Sequence, residues 1–108
     1  MPHFVYIVRC ANDTLYTGYA VDVAARIVKH NAGKGAMYTR MNGPVELLVS
    51  WEAPSHIVAL KLERRIKRLS RADKLALAAG HRPLPFVGAM KASALWKARR
   101  PRRRRGLP

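Results

Sequence analysis

Two stretches near the amino terminus, HFVYIVRC and TLYTGYA, constrain the fold of this chain more than any other feature. Both are rich in β-branched and aromatic residues, which favour strands. The residues between them include Asn12 and Asp13, which favour turns. The pattern therefore predicts strands at 4–10 and 15–20 that pair as an antiparallel hairpin.

Each predicted strand carries a tyrosine that it does not need in order to be apolar, Tyr6 in the first and Tyr16 in the second. Side chains alternate between the two faces of a strand, and directly opposed residues of a hairpin share a face. The two phenols therefore point the same way only if the loop has an odd number of residues. A three-residue loop at 12–14 meets that condition.

A helix is predicted directly after the hairpin. Asp22 is a favoured N-cap, and Gly33 is a favoured stop. Within this helix Arg26 and His30 are four residues apart, which places them on one face.

The rest of the body alternates between strand and helix patterns. The stretch VELLVSWE predicts a third strand at about 45–51, and apolar residues at helical spacing predict a helix at 55–69 that leaves Glu63 outside its apolar stripe. Ser70 is a favoured cap for a last helix that runs to Gly80. This order predicts an α+β fold, a small three-stranded antiparallel sheet flanked by helices.

The charge of the chain restricts its partners. Its 108 residues include 21 Lys and Arg against 6 Asp and Glu, so the formal net charge is +15. Such a charge predicts a polyanionic partner, either nucleic acid or an anionic membrane surface. The membrane is disfavoured because no amphipathic helix has a large apolar face. The apolar run at the amino terminus is too short for a signal peptide, and we expect a cytoplasmic protein.

The basic residues also suggest where the domain ends. Residues 81–108 hold nine Lys and Arg with no Asp or Glu, together with prolines and a terminal arginine cluster. We interpret residues 1–80 as one domain and 81–108 as a loose basic extension. The domain alone is still basic, so the predicted polyanionic partner does not depend on the extension. The single cysteine, Cys10, rules out an intrachain disulfide.

The ordered set of polar residues on these elements resembles the GIY-YIG nuclease domain, especially its small stand-alone bacterial members. The segment FVY at 4–6 lines up with the first family motif, and YTG at 16–18 with the second. Neither segment is a literal match, but both keep the motif tyrosine. Through this resemblance five residues correspond to catalytic positions of the family: Tyr6, Tyr16, Arg26, His30 and Glu63.

The resemblance implies a metal-dependent endonuclease that hydrolyses DNA phosphodiester bonds in DNA repair or maintenance. Glu63 corresponds to the ligand of Mg²⁺ or Mn²⁺, and Arg26 can bridge phosphate oxygens through its planar fork. We expect Tyr6 to be the base or the group that orients the nucleophile, with its pKa lowered by nearby cations. Tyr16 or His30 could take that role instead, and the sequence does not choose between them.

Several further basic residues are predicted to contact nucleic-acid phosphates, which position a protein without reading sequence. The alternative function is a basic nucleic-acid-binding or ribosome-associated module that keeps the fold without catalysis. DNA is the favoured partner in either case. The predicted phosphate contacts are Arg40, Lys61, Arg64, Arg65, Lys67 and Arg71.

Overall fold

The computed structural model describes residues 2–33, 43–82, 84 and 97–99. Its elements within those ranges are β1 (His3–Cys10), β2 (Leu15–Ala20), α1 (Val23–Asn31), β3 (Val45–Ala53), α2 (His56–Lys67), α3 (Arg71–Ala79) and β4 (Lys97–Arg99). The strands form one antiparallel sheet in the order β2-β1-β3-β4. The predicted α+β fold is confirmed, with its three strands in the predicted order along the chain. The short β4, on the outer side of β3, was not predicted.

The loop of the β1–β2 hairpin has three residues, the predicted number, but it begins one residue earlier than predicted. The amide of Cys10 donates to the carbonyl of Thr14 at 2.8 Å, so the loop is 11–13 and not 12–14. Its last residue, Asp13, has a φ of 68°, a left-handed conformation that Asp tolerates better than most residues. This geometry is typical of three-residue hairpin loops, which end in a left-handed residue.

The register of the hairpin places both motif tyrosines on one face. Tyr6 is opposite Gly18, and Val8 is opposite Tyr16. Since alternate residues of β1 share a face, Tyr6 and Val8 point the same way, and Tyr16 points with them. An odd loop therefore has the consequence that the sequence predicted.

A β-bulge in β3 changes the face of the sheet to which its apolar side chains point. Ile7 pairs with Val49, but the next residue, Val8, pairs with Leu47, so Leu48 is an extra residue on β3. An extra residue reverses which face the following side chains occupy. The part of β3 before the bulge therefore packs with the face of Tyr6, and the part after it packs with the opposite face.

Each face of the sheet has its own apolar core. The helix α1 covers the Tyr6 face, where Val23 and Ile27 pack against the buried residues. The helices α2 and α3 cover the opposite face through Leu62, Ile66 and Leu77. The buried residues on the α1 side are Tyr6, Val8, Cys10, Ala20 and Val45, and those contributed by the sheet on the α2 side are Val5, Ile7, Val49, Trp51 and Ala53.

Each of these helices begins at a capping side chain; the caps at Asp22 and Ser70 were predicted, and the cap at Ser55 was not. The side chains of Asp22, Ser55 and Ser70 accept hydrogen bonds from the first turns of α1, α2 and α3 at 3.0, 3.2 and 3.1 Å. Gly80 ends α3 with a φ of 82°, a left-handed conformation that favours glycine. These local signals determine where each helix begins and where α3 ends.

Candidate active site

The site is built around the phenol of Tyr6, which is only 1% exposed although it carries a polar hydroxyl. Tyr6 lies on the inner strand β1, and its ring crosses the backbone of the edge strand β2 at Gly18. A Cβ atom on residue 18 would lie 2.4 Å from the Tyr6 Oη and 2.5 Å from its Cζ. Only glycine at position 18 lets the phenol lie across the edge strand, so Gly18 positions Tyr6.

We expect Gly18→Ala to displace the Tyr6 ring and to lower both stability and any activity that depends on Tyr6. Forcing a methyl group into a packed site costs about 1–3 kcal/mol. The free energy of unfolding, measured by urea denaturation, checks the cost. In a Tyr6→Leu background the same substitution should cost far less, because the atoms it meets are gone. An equal cost in both backgrounds would show that the Tyr6 ring is not the obstacle.

The helix α1 brings two residues to the Tyr6 hydroxyl. His30 is 2% exposed, and its Nε2 lies 2.9 Å from the Tyr6 Oη in a hydrogen bond. Arg26, one turn earlier, lies near the same phenol and acts to lower its pKa. The end of α1 is fixed to the sheet by Asn31, whose Oδ1 accepts from the amide of Val45 at 2.7 Å and whose Nδ2 donates to the carbonyl of that residue at 3.3 Å. This double link holds the helix turn that carries His30.

The second motif tyrosine contacts the same imidazole. The rings of Tyr16 and His30 have centroids 5.8 Å apart and meet at 69°, and those of Tyr6 and His30 have centroids 6.1 Å apart and meet at 65°. Both are edge-to-face contacts, a favourable arrangement for aromatic rings. His30 therefore contacts both of the phenols that the hairpin register places on one face.

Glu63 approaches the site from the other side of the sheet. It lies on α2, its side chain is 19% exposed, and its Oε2 is 3.4 Å from the Nζ of Lys67. Its charge nevertheless acts on the Tyr6 phenol. This is possible because β2 is an edge strand, so the helix on the opposite face and the phenol that crosses Gly18 can meet beside it.

The electrostatics reverse one expectation from the sequence. Burial, followed by the nearby Tyr16, raises the pKa of Tyr6 to about 12, although the charge and hydrogen bond of Arg26 act to lower it. The loss of hydration on burial thus exceeds the effect of the cation. The pKa of His30 is lowered, first by burial and then by the charges of Arg26 and Lys29. At neutral pH the structure therefore holds a protonated phenol against a neutral imidazole.

The lowered pKa of His30 predicts a pH dependence of stability. The unfolded chain binds a proton on this residue at about pH 6.5, whereas the folded chain binds it only at lower pH. The unfolded state therefore holds more protons below that pH, and the free energy of unfolding should decrease as the pH falls through it. Urea denaturation from pH 8 to pH 5 should show a steeper decrease for the wild type than for His30→Gln. Identical slopes would contradict a neutral buried His30.

The predicted phosphate-contacting residues are not gathered at the Tyr6 hydroxyl. Lys61, Arg64 and Arg65 are exposed on α2, and Arg40 lies outside the described residues. Lys67 forms the ion pair with Glu63 already described. The guanidinium of Arg71 donates to the backbone carbonyl of Asp13 and pairs with its carboxylate at 3.1 Å, which ties the start of α3 to the hairpin loop.

Gly18 is the site residue that the sequence reasoning missed. In the sequence it stands out only as part of the YTG segment, with no role of its own. A usable signal was present, because a glycine inside a strand often marks a close approach of another group to the backbone. Which group approaches could be seen only after the strands were paired.

A small α+β domain in which two strand tyrosines, a helix arginine, a histidine and a glutamate meet beside an edge strand has the arrangement of a nuclease domain. The match to known families agrees: residues 2–76 match the GIY-YIG catalytic domain. The chain belongs to the GIY-YIG family.

Similar proteins are small and stand alone. The chain is 52% identical over 75 residues to the UPF0213 protein SERP0126 of Staphylococcus epidermidis, a match that covers 69% of this chain and 92% of that protein. It is 48% identical over 77 residues to the UPF0213 protein NP_0776A of Natronomonas pharaonis, covering 71% and 91%. The solution NMR structure of the UPF0213 protein BH0048 from Bacillus halodurans is 47% identical, with a TM-score of 0.48 over 73% of this chain and 84% of that one.

Proposed function

We propose that this protein is a metal-dependent endonuclease that hydrolyses DNA phosphodiester bonds, with a cytoplasmic role in DNA repair or maintenance. One observation carries the proposal: the Tyr6 Oη lies 2.9 Å from the Nε2 of the buried His30, and Arg26 on the same helix acts on that phenol. Burying a phenol against an imidazole, with a partly buried guanidinium beside them, is costly unless these groups serve one another or a ligand. In a nuclease family, a phosphodiester is the ligand that fits a guanidinium and two proton-transfer groups.

The protons at this site can be assigned from the chemistry of the three groups. A guanidinium only donates, so the Tyr6 oxygen accepts from Arg26. The phenol proton is then directed toward His30, whose neutral imidazole accepts it at Nε2. Because the pKa of Tyr6 is raised to about 12, the phenol is a poor base by itself. We infer that Tyr6 takes a proton from the attacking water while its own proton moves to His30, so the two residues act as one base.

Arg26 and Tyr16 act on the phosphate. The guanidinium of Arg26 has five N–H donors, so it can bridge phosphate oxygens while it keeps its bond to Tyr6. Tyr16 contacts the same imidazole and can hold the water or a phosphate oxygen in line. Neither group needs to titrate for this role. The cationic guanidinium stabilises the negative charge that develops on the phosphate in the transition state.

Nucleases of this family generally use a divalent metal ion. Glu63 could supply one carboxylate ligand to such an ion. In the described part of the chain, no group of three or more His, Cys, Asp or Glu side chains could hold a metal. Mg²⁺ commonly binds through one or two carboxylates, its own waters and substrate phosphates. A single half-buried carboxylate therefore suits Mg²⁺ or Mn²⁺ that binds together with DNA. When bound, the ion would neutralise charge on the leaving oxygen.

Contacts with the DNA backbone are part of the same proposal. Exposed Lys61, Arg64 and Arg65, together with Lys67, Arg71 and Arg40, are proposed to bind phosphates, and residues 81–108 to add nonspecific affinity. Residues 1–80 are proposed to form the nuclease domain. In the part of the chain that the structure describes, every helix is too short or too polar to pass through a membrane.

The proposal is tested with the purified full chain and labelled single-stranded, duplex, flapped and branched DNA, plus RNA. Each substrate is incubated with Mg²⁺, with Mn²⁺ and with a chelator. We expect metal-dependent cleavage of at least one DNA structure and no cleavage with the chelator. Salt-sensitive binding of the same substrates without cleavage in either metal would overturn the proposal. It would favour the alternative, a non-catalytic nucleic-acid-binding or ribosome-associated module.

A further inference from the structure

A second polar cluster lies at the corner where β1 begins, β2 ends and α2 begins. Its members are His3, Tyr19 and His56, which we call the His–Tyr–His cluster. We propose that this cluster sets the position of α2 along the hairpin, and thereby places Glu63 beside the part of β2 that carries Tyr16 and is crossed by the Tyr6 phenol. Its members are then positioning residues for the cleavage reaction, and that consequence for activity rests on the proposed function.

The geometry of the cluster ties three elements to one atom. The Oη of Tyr19 lies 2.7 Å from the Nδ1 of His3 and 2.8 Å from the Nδ1 of His56. The rings of His3 and Tyr19 are stacked at 16°, and the ring of His56 meets that of Tyr19 at 82°. A single phenol oxygen therefore joins the first residue of β1 to the first residue of α2.

The Tyr19 Oη needs both imidazoles to make its two hydrogen bonds. A phenol has one proton, so it donates to one Nδ1 and accepts from the other. One imidazole must then carry a proton on Nδ1, and the other must present an unprotonated Nδ1. Such a chain of hydrogen bonds is directional, because each bond weakens steeply when its angle departs from linearity. A helix held by this chain resists sliding along its axis.

The spacing of residues connects the cluster to the catalytic site. His56 and Glu63 are seven residues apart on α2, which puts them about 20° apart around the helix and about 10 Å apart along it. Tyr19 and Tyr16 are three residues apart on β2, also about 10 Å. A bond between His56 and Tyr19 thus brings Glu63 to the level of Tyr16.

These two distances place Glu63 at the level of Tyr16 only if α2 and β2 run in opposite directions, and the contacts show that they do. His56, at the start of α2, bonds Tyr19 near the end of β2. Beyond the other end of α2, Leu69 lines a groove together with Leu15, the first residue of β2. Glu63 and His56 therefore lie along the same edge of α2, beside the strand that the Tyr6 phenol crosses.

Apolar packing alone fixes this position less well. Ala59, Leu62 and Ile66 hold α2 against the sheet, but hydrophobic burial is not directional and tolerates small shifts. Thr17, buried on the same face of β2, adds no polar link, since its Oγ1 has no hydrogen-bond partner among the described residues. The His–Tyr–His cluster therefore supplies the directional contact between the start of α2 and the hairpin.

The test compares variants that remove or keep the hydrogen bonds. Tyr19→Phe and His56→Ala remove them, whereas His56→Asn can keep one, because an Asn side chain reaches about as far as Nδ1. His81→Ala, at an exposed histidine after α3, is the matched control. We expect kcat for DNA cleavage to fall roughly tenfold or more in the first two, since a displacement near 1 Å can cost up to about 100-fold. KM should stay within about twofold, with His56→Asn and His81→Ala near the wild type.

A second measurement does not depend on cleavage. The chain has three glutamates, Glu46, Glu52 and Glu63, so their ¹³C-labelled carboxyl signals can be resolved by NMR. In Tyr19→Phe and His56→Ala the Glu63 signal should shift, and its broadening by added Mn²⁺ should weaken, while the Glu46 signal stays unchanged. His56→Asn should restore the wild-type signal.

The two measurements separate the possible failures. If the wild type does not cleave but the Glu63 signal responds as described, the proposed function fails and the positioning role stands. If the Glu63 signal and kcat are both unchanged in folded Tyr19→Phe and His56→Ala, the positioning role is wrong. A variant that unfolds is replaced by His3→Ala, which removes the other bond to the phenol and carries the same expectation.

Discussion

Glu63→Gln should abolish Mg²⁺-dependent cleavage while the protein stays folded. The substitution keeps the shape of the side chain but removes the charge that a hard cation requires, and losing such electrostatic stabilisation commonly costs about 10²–10³-fold in rate. The change in stability should be small, because the ion pair with Lys67 spans one turn of a helix and contributes about 0.5 kcal/mol or less. Nicking of plasmid DNA and urea denaturation measure the two effects.

Glu46→Gln is the matched control for this result. Glu46 lies on β3, is exposed, and pairs with Arg9 at 2.9 Å, so its loss removes an ion pair of similar kind far from the Tyr6 hydroxyl. Its cleavage rate should equal that of the wild type. If Glu63→Gln cleaves as fast as Glu46→Gln, the assignment of Glu63 as the metal ligand is wrong.

Tyr6→Phe should lower the cleavage rate by roughly 10²-fold or more, the scale expected for loss of a proton-transfer group. The ring stays in place across Gly18, so the packing is kept and only the hydroxyl that bonds His30 and Arg26 is lost. Stability should fall by about 1 kcal/mol, the usual contribution of a hydrogen bond. The single-turnover cleavage rate, measured well below the unfolding temperature, reports the chemical step, and a separate DNA-binding measurement reports the affinity for substrate. Together they separate a loss of chemistry from a loss of substrate binding.

Tyr16→Phe distinguishes the two tyrosines. If Tyr6 and His30 act together as the base, Tyr6→Phe should have the larger effect on rate, because Tyr16 only positions the water or phosphate. A larger loss in Tyr16→Phe would exchange the two roles. Two Phe variants that both cleave at the wild-type rate would mean that the phenols are ordinary strand residues.

The raised pKa of Tyr6 shows why the chemistry could not be derived from the list of residues. From the sequence, a lowered pKa was expected because a metal ion, Arg26 and His30 would together supply nearby positive charge. The structure shows that the ring is almost fully buried and that His30 is buried with it. Burial acts on the charged form of both groups, so it raises the pKa of the phenol and lowers that of the imidazole. The extent of burial depends on packing and is not encoded locally.

Local sequence signals were sufficient for the first three strands and the three helices, but not for β4. Side-chain alternation, turn residues and capping residues act between neighbours in the chain, so they predict strands, helices and their ends without knowledge of the fold. The odd hairpin loop is the clearest case, since it alone put Tyr6 and Tyr16 on one face. The family resemblance added which polar residues to follow.

Only the tertiary structure decided what depends on contacts between distant segments. The need for glycine at position 18 follows from the ring of Tyr6 on the neighbouring strand, and the extra residue in β3 follows from its pairing with β1. The approach of Glu63 depends on β2 being an edge strand, and its level along that strand depends on the direction of α2. The sequence by itself determined which residues are available for the chemistry. Pairing and packing determined where they meet, because contacts between residues far apart in the chain are set by the free energy of the whole fold.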